Sequence, residues 1–82
     1  MIGDRMLEFE AFLETSDPGR LVRVWGKGLH DLNVEIIEGK VDGTSVTPLV
    51  LTRQTMNRVQ RLVQAHGLRL REPRRMFLRR WR

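Results

Sequence analysis

Arginine is the residue type through which this chain can act on a partner: it carries thirteen Arg against two Lys, Lys27 and Lys40. From Leu51 to Arg82 there are ten Arg and a single acid, Glu72, a local charge of +9. From Met1 to Val50 five basic residues face nine acidic ones, a local charge of −4. The overall charge of +5 therefore conceals two halves of opposite sign, and the basic half will attract polyanions. A guanidinium is permanently charged and presents a planar fork of donors that matches a phosphate, so its chemistry is recognition rather than proton transfer.

The arginines of this half fall into two groups. Arg53, Arg58 and Arg61 share a stretch with Gln54, Asn57, Gln60 and Gln64 that contains no acid. On a helix these residues form one face. A solvated helical face usually mixes Glu with Lys or Arg, because pairs four apart stabilise it by about 0.2–0.5 kcal/mol each. Here Arg58 and Arg61 stand three apart and repel. Arg and amide side chains are the groups that bond phosphate oxygens and base edges, which makes this a nucleic-acid-facing surface. The competing reading is that these arginines reach acids elsewhere, with Glu8, Glu10, Glu14, Glu35 and Glu38 available.

The second group comprises Arg69, Arg71, Arg74, Arg75, Arg79, Arg80 and Arg82, interleaved with Phe77 and Trp81. Arginine neutralises phosphate and releases counterions, while aromatic faces stack on unpaired bases at about 1–3 kcal/mol per base. Phe77 and Trp81 are four apart, so on a helix they would share a face and could instead dock on the core or on a second subunit. A membrane surface also selects Arg with Phe, Leu and Trp, and ranks third. Trp25 and Lys27, flanked by Gly26 and Gly28, form a smaller candidate for stacking on a base. A single Trp in a strand is more often a core residue.

Nothing in the chain assembles a catalytic set. Hydrolysis needs a nucleophile, an oriented base and an oxyanion donor together. His30-Asp31 with a remote Ser16 or Ser45 is no such set. Two His, scattered carboxylates and no Cys make no metal-ligand pattern and imply no cofactor. His66 suits the negative end of a helix dipole. Gly26 and Gly28 are not followed by the lysine and helix of a phosphate-binding loop. The expectation is a non-enzyme.

The elements that must position these residues follow from periodicity. Leu7, Phe9, Ala11 and Leu13 alternate with Glu8, Glu10, Phe12 and Glu14, a half-buried strand. Helix formers and a capping Asp4 offer a helical alternative there. Ser16-Asp17-Pro18-Gly19 is a turn, after which Leu21 to Trp25 resumes an extended pattern. Leu32, Val34 and Ile36 alternate with Asn33, Glu35 and Ile37. Turn signals at Glu38-Gly39 and Asp42-Gly43 precede an extended run from Ser45 to Leu51, in which Pro48 favours an edge or a break. Thr52 is a good N-cap, with Leu51 and Met56 placed as a hydrophobic staple. Met56, Val59, Leu62 and Val63 then mark one face of a helix over 53–66, and Gly67 ends it. Leu68 to Arg71 alternates again as a short final strand.

The fold class expected is α+β: an antiparallel sheet of about four strands packed on one long helix, with a basic C-terminal tail. Residues 1–72 form the single domain and residues 73–82 the Arg/aromatic tail. At 82 residues the core is thin, so a homodimer is a reasonable expectation. The absence of an apolar run of about 20 residues argues against a membrane span. With no Cys and no apolar stretch after Met1, a cytoplasmic location is expected.

Trp25-Gly26, the alternating Leu32 to Ile36 and the Pro48-Leu49-Val50-Leu51-Thr52 lead into the helix carry a resemblance across residues 20–66. In them the chain resembles the single-stranded-DNA-binding transcriptional coactivators of the positive-cofactor-four type. The resemblance implies a four-stranded antiparallel sheet followed by a long helix, helix-mediated dimers, a role in transcription regulation, and a basic, aromatic-lined sheet groove for unpaired DNA. Only Trp25 and Lys27 match groove positions. Where that family has basic residues before its last strand, this chain has Thr44-Ser45-Val46-Thr47-Pro48, and its strands carry Glu8, Glu10, Glu35 and Glu38. The positive charge lies on the helix and tail instead.

The resulting expectation is a small non-enzymatic nucleic-acid-binding protein, for single-stranded DNA or RNA, acting through the helix face and the tail. If six to ten arginines contact phosphate, log K falls with log salt at a slope of roughly −4 to −9. One alternative is a protein-interaction module, a small regulator or inhibitor of an acidic protein partner, since Arg is enriched at interface hot spots. A second is a ribonucleoprotein component. Deleting residues 73–82 is expected to weaken nucleic-acid binding with the fold intact, or to cost stability if the segment docks.

Overall fold

Alternating apolar residues in three segments build a sheet, and a capped amphipathic helix covers one of its faces. The computed structural model describes residues 9–27, 32–41, 51–72 and 74–80. The elements are β1 (Phe9–Glu14), β2 (Arg20–Gly26), β3 (Leu32–Glu38), α1 (Arg53–Ala65) and β4 (Met76–Arg80). They make a four-stranded antiparallel sheet of order β3-β2-β1-β4. The α+β expectation holds at this level, with a helix of 13 residues. The Asp4 cap, the start of the first strand at Leu7, Gly28, His30-Asp31, Asp42-Gly43 and the run from Ser45 to Val50 lie outside the described residues.

The register sorts side chains between two faces. Ala11 pairs with Val24 and Leu78, Leu13 with Val22 and Met76, and Val34 and Ile36 pair with Val24 and Val22. These residues share the face that α1 covers. Leu13, Val22, Val24, Leu32, Leu51, Val59 and Val63 form the buried cluster, with Met56, Leu68 and Met76 packed against it. Each fully buried aliphatic side chain of this kind stabilises the fold by about 1.5–3 kcal/mol.

Local chemistry fixes the connections. The Asp17 carboxylate accepts from Gly19 N at 2.8 Å, and Arg20 N donates to Asp17 O at 3.0 Å, closing the β1–β2 turn. Thr15 is buried inside it. Its hydroxyl lies 2.9 Å from Arg20 O and accepts from Asp17 N at 3.1 Å. Thr52 caps α1: its hydroxyl accepts from Thr55 N at 3.2 Å and donates to Thr55 Oγ1 at 3.0 Å. That bond satisfies Thr55, a polar residue buried on the stripe with Val59 and Val63. The helix ends in a Schellman motif. Gly67 sits at φ 71°, its N–H bonds Gln64 O at 3.0 Å, and Leu68 N bonds Val63 O at 2.7 Å.

The segment expected to be a tail contains a strand. Met76–Arg80 pairs with β1 from Leu13↔Met76 to Phe9↔Arg80. The final strand expected at 68–71 is instead one isolated bridge, Thr15↔Leu70, supported by Arg71 N to Glu14 O at 3.0 Å. Two residues along β1, Leu13 to Thr15, thus correspond to six along the partner, Leu70 to Met76. Four extra residues are accommodated there, where Pro73 has no N–H for a ladder. Phe77 stands on a strand and not on a helix. Phe77 lies on β4 opposite Phe12, and Trp81 and Arg82 fall outside the described residues.

Candidate nucleic-acid interface

Charge in the folded chain is sorted by which arginines the acids capture. Arg23, on β2, bonds Glu10 through Nε and Glu35 at 2.8 Å through Nη1. Its guanidinium lies 4.0 Å from the centroid of the Trp25 ring. The bond to Glu35 raises the Arg23 pKa above its ordinary value, partial burial opposes this, and Glu10 adds to the rise. Arg71 reaches Glu14 at 3.5 Å, and Arg20 reaches Asp17 at 3.7 Å. Of the carboxylates that were candidates to neutralise the helix, Glu10, Glu14 and Glu35 are therefore taken by Arg23 and Arg71. Glu8 lies outside the described residues, and Glu38 is exposed.

None of these acids takes an arginine of α1. Among the described residues Arg53, Arg61, Arg69, Arg74 and Arg75 are exposed and have no carboxylate partner. Arg58 is exposed but tethered: its Nη1 donates to Leu32 O at 2.6 Å, tying the helix to the start of β3. Arg79 and Arg80 stand on β4 at register positions opposite Glu10 and Phe9. The helix has no acidic residue in its first turn, so the partial positive charge of its N-terminus is also uncompensated there.

Two amides of the helix face and two arginines of the second group meet along a groove. Gln60, Val63 and Gln64 of α1 form one wall. Leu68, Arg69, Leu70, Glu72 and Arg74 form the other, with an open groove of about 430 Å³ between them. The wall exists because the Schellman turn sends the chain back along β1, where Ser16 N bonds Arg69 O at 2.8 Å and Arg69 N bonds the Ser16 hydroxyl at 3.2 Å. Gln60 and Gln64 are four apart and lie on the stripe that also carries Arg53. Periodicity showed the amides, but their closure against residues 68–74 had no sequence signal.

Trp25 is not in the core cluster. It sits on the sheet face away from α1, half-buried, between Glu10 and Asn33 in the register. That face also carries Phe12, Arg23, Glu35 and Phe77, a mixed surface crossed by the Glu10–Arg23–Glu35 bonds. Lys27 is exposed just beyond β2. Among the described residues no three His, Asp or Glu converge in a way that could hold a metal ion. Nor is any helix there long and apolar enough to cross a membrane. His66 caps the helix, its Nδ1 3.0 Å from Leu62 O.

Comparison of the chain with protein-family models, curated proteins and solved structures finds no match.

Proposed function

We propose that this chain is a small non-enzymatic nucleic-acid-binding protein, acting on single-stranded DNA or RNA. Its contact surface runs from the outer face of α1 across the 68–75 segment. The observation that carries this reading is the partition of charge. Glu10, Glu14, Asp17 and Glu35 are paired with Arg20, Arg23 and Arg71, while Arg53, Arg61, Arg69, Arg74 and Arg75 lack a carboxylate partner among the described residues. Exposed guanidinium groups left unneutralised are available to phosphate oxygens. The groove sets Arg69 and Arg74 beside two amides suited to base edges. Phe77, Arg79 and Arg80, held on β4, extend the basic segment along the sheet edge; Trp81 and Arg82 continue it in sequence. Dimerisation, a cytoplasmic location and a link to transcription belong to the same reading.

The test is a salt-series titration against single-stranded DNA, duplex DNA and structured RNA. Binding whose log K falls steeply with log salt is expected; a salt-insensitive or undetectable affinity for all three sinks the proposal. A second reading, binding of an acidic protein segment, is favoured by β4, which among the described residues has a single neighbour in the sheet and carries arginines. A stoichiometric complex with an acidic peptide, unmatched by any nucleic acid, would select it. Deleting residues 73–82 does not separate the two, because it removes a strand paired to β1.

A further inference from the structure

We infer that the groove between α1 and residues 68–74 seats one nucleotide of a strand, its base inserted and its phosphate held at the rim; this rests on the nucleic-acid reading above. A surface that bound phosphate alone would need only scattered cations. This one forms an open groove of about 430 Å³, within the roughly 300–1,000 Å³ of small-molecule sites. Its chemistry is also divided as a nucleotide is. Leu68 and Leu70 are half-buried against the core and offer an apolar edge for a planar ring. Arg69 and Arg74 line the same space, and neither has a carboxylate partner among the described residues, so both are available to a phosphate.

The remaining lining groups suit a base edge. Gln60 and Gln64, one helical turn apart, each bring a donor and an acceptor, and Glu72 brings an acceptor. Glu72 forms no ion pair with Arg69 or Arg74, so its oxygens are open to an N–H on the edge of an unpaired base, the ring N3–H of thymine included. A base inside a duplex cannot present this edge without leaving the stack, which makes an unpaired nucleotide the occupant.

The experiment uses the full chain and two probes of equal charge: a strand of about ten thymidine nucleotides and its abasic counterpart. The thymidine strand should bind about tenfold tighter, the lower end of what one seated base contributes. In Gln60→Ala/Gln64→Ala the difference should shrink to about threefold or less, with the salt slope unchanged, because two base-edge hydrogen bonds are lost and no charge is. Alanine favours the helix, so the double variant keeps the fold. Equal affinity for the two probes, or a difference that the double variant leaves intact, overturns the nucleotide seat while nucleic-acid binding stands. If neither probe binds, nor any duplex or structured RNA, both proposals fall.

Discussion

Replacing an arginine that no acid has captured should change the salt dependence of binding, and replacing a captured one should not. Arg53, Arg61, Arg69, Arg74 and Arg75 belong to the first kind, and Arg23, held between Glu10 and Glu35, to the second. Each phosphate neutralised contributes about −0.7 to the slope of log K against log salt on a single strand and about −0.9 on a duplex. Five free arginines therefore give about −3.5 to −4.5. Raising salt from about 50 to about 200 mM should then weaken binding roughly 100- to 500-fold. Arg61→Gln removes one contact, so its slope should fall by about 0.7–0.9 and its loss across that salt range should be about threefold smaller. Arg69→Gln/Arg74→Gln should lower the slope by about 1.4–1.8. Arg23→Gln should leave it where it was, provided circular dichroism shows the fold retained. The assay is fluorescence anisotropy of a labelled oligonucleotide at five or so salt concentrations. If Arg61→Gln leaves the slope unchanged, or Arg23→Gln lowers it as much as Arg61→Gln does, ion pairing within the fold is not what selects the contacts.

The remaining expectations concern the scaffold and are read by chemical denaturation. Thr52→Ala removes the acceptor for Thr55 N and strands the buried Thr55 hydroxyl, and should cost about 1–2 kcal/mol. A loss below a few tenths would mean that water replaces the cap. Gly67→Ala places a side chain at φ 71° with nothing within 4 Å of the new methyl, so backbone strain alone should cost about 1–2 kcal/mol. Leu13→Ala, at a site 1% exposed beneath the helix, should cost about 2–5 kcal/mol. For a domain of this size that is a large share of the total stability.

Much of this architecture was legible because period-two alternation depends only on neighbouring residues. Ala11 and Leu13, Val22 and Val24, and Val34 and Ile36 all face α1 as their spacing requires. Thr52 and Gly67 likewise announce their roles, since a cap and a left-handed residue are local devices. β4 was not legible. Met76-Phe77-Leu78 has no alternation, the flanking arginines read as a solvated tail, and its pairing with β1 joins residues more than sixty apart in sequence. Thr55 was hidden by its polar type, because its burial depends on a hydroxyl partner. Trp25 is a stacking candidate by sequence, with the core as the commoner role for a Trp in a strand. It stands on the other face because the β2 register places Val22 and Val24 under the helix, and Arg23 covers its ring.

The sequence by itself determined the sign of each half of the chain, the absence of acid on one helix face, and the strands and caps that short-range periodicity encodes. Only the tertiary structure decided which arginines remain free, because an ion pair depends on distances that the sheet register sets. The pairing of β2 with β1 and β3 brings Glu10 and Glu35 to Arg23, and the return of the chain beside β1 brings Arg71 to Glu14. Of the +9 that composition assigns to the second half, what a partner meets is the part those contacts leave unneutralised, gathered along α1 and the segment that closes the groove.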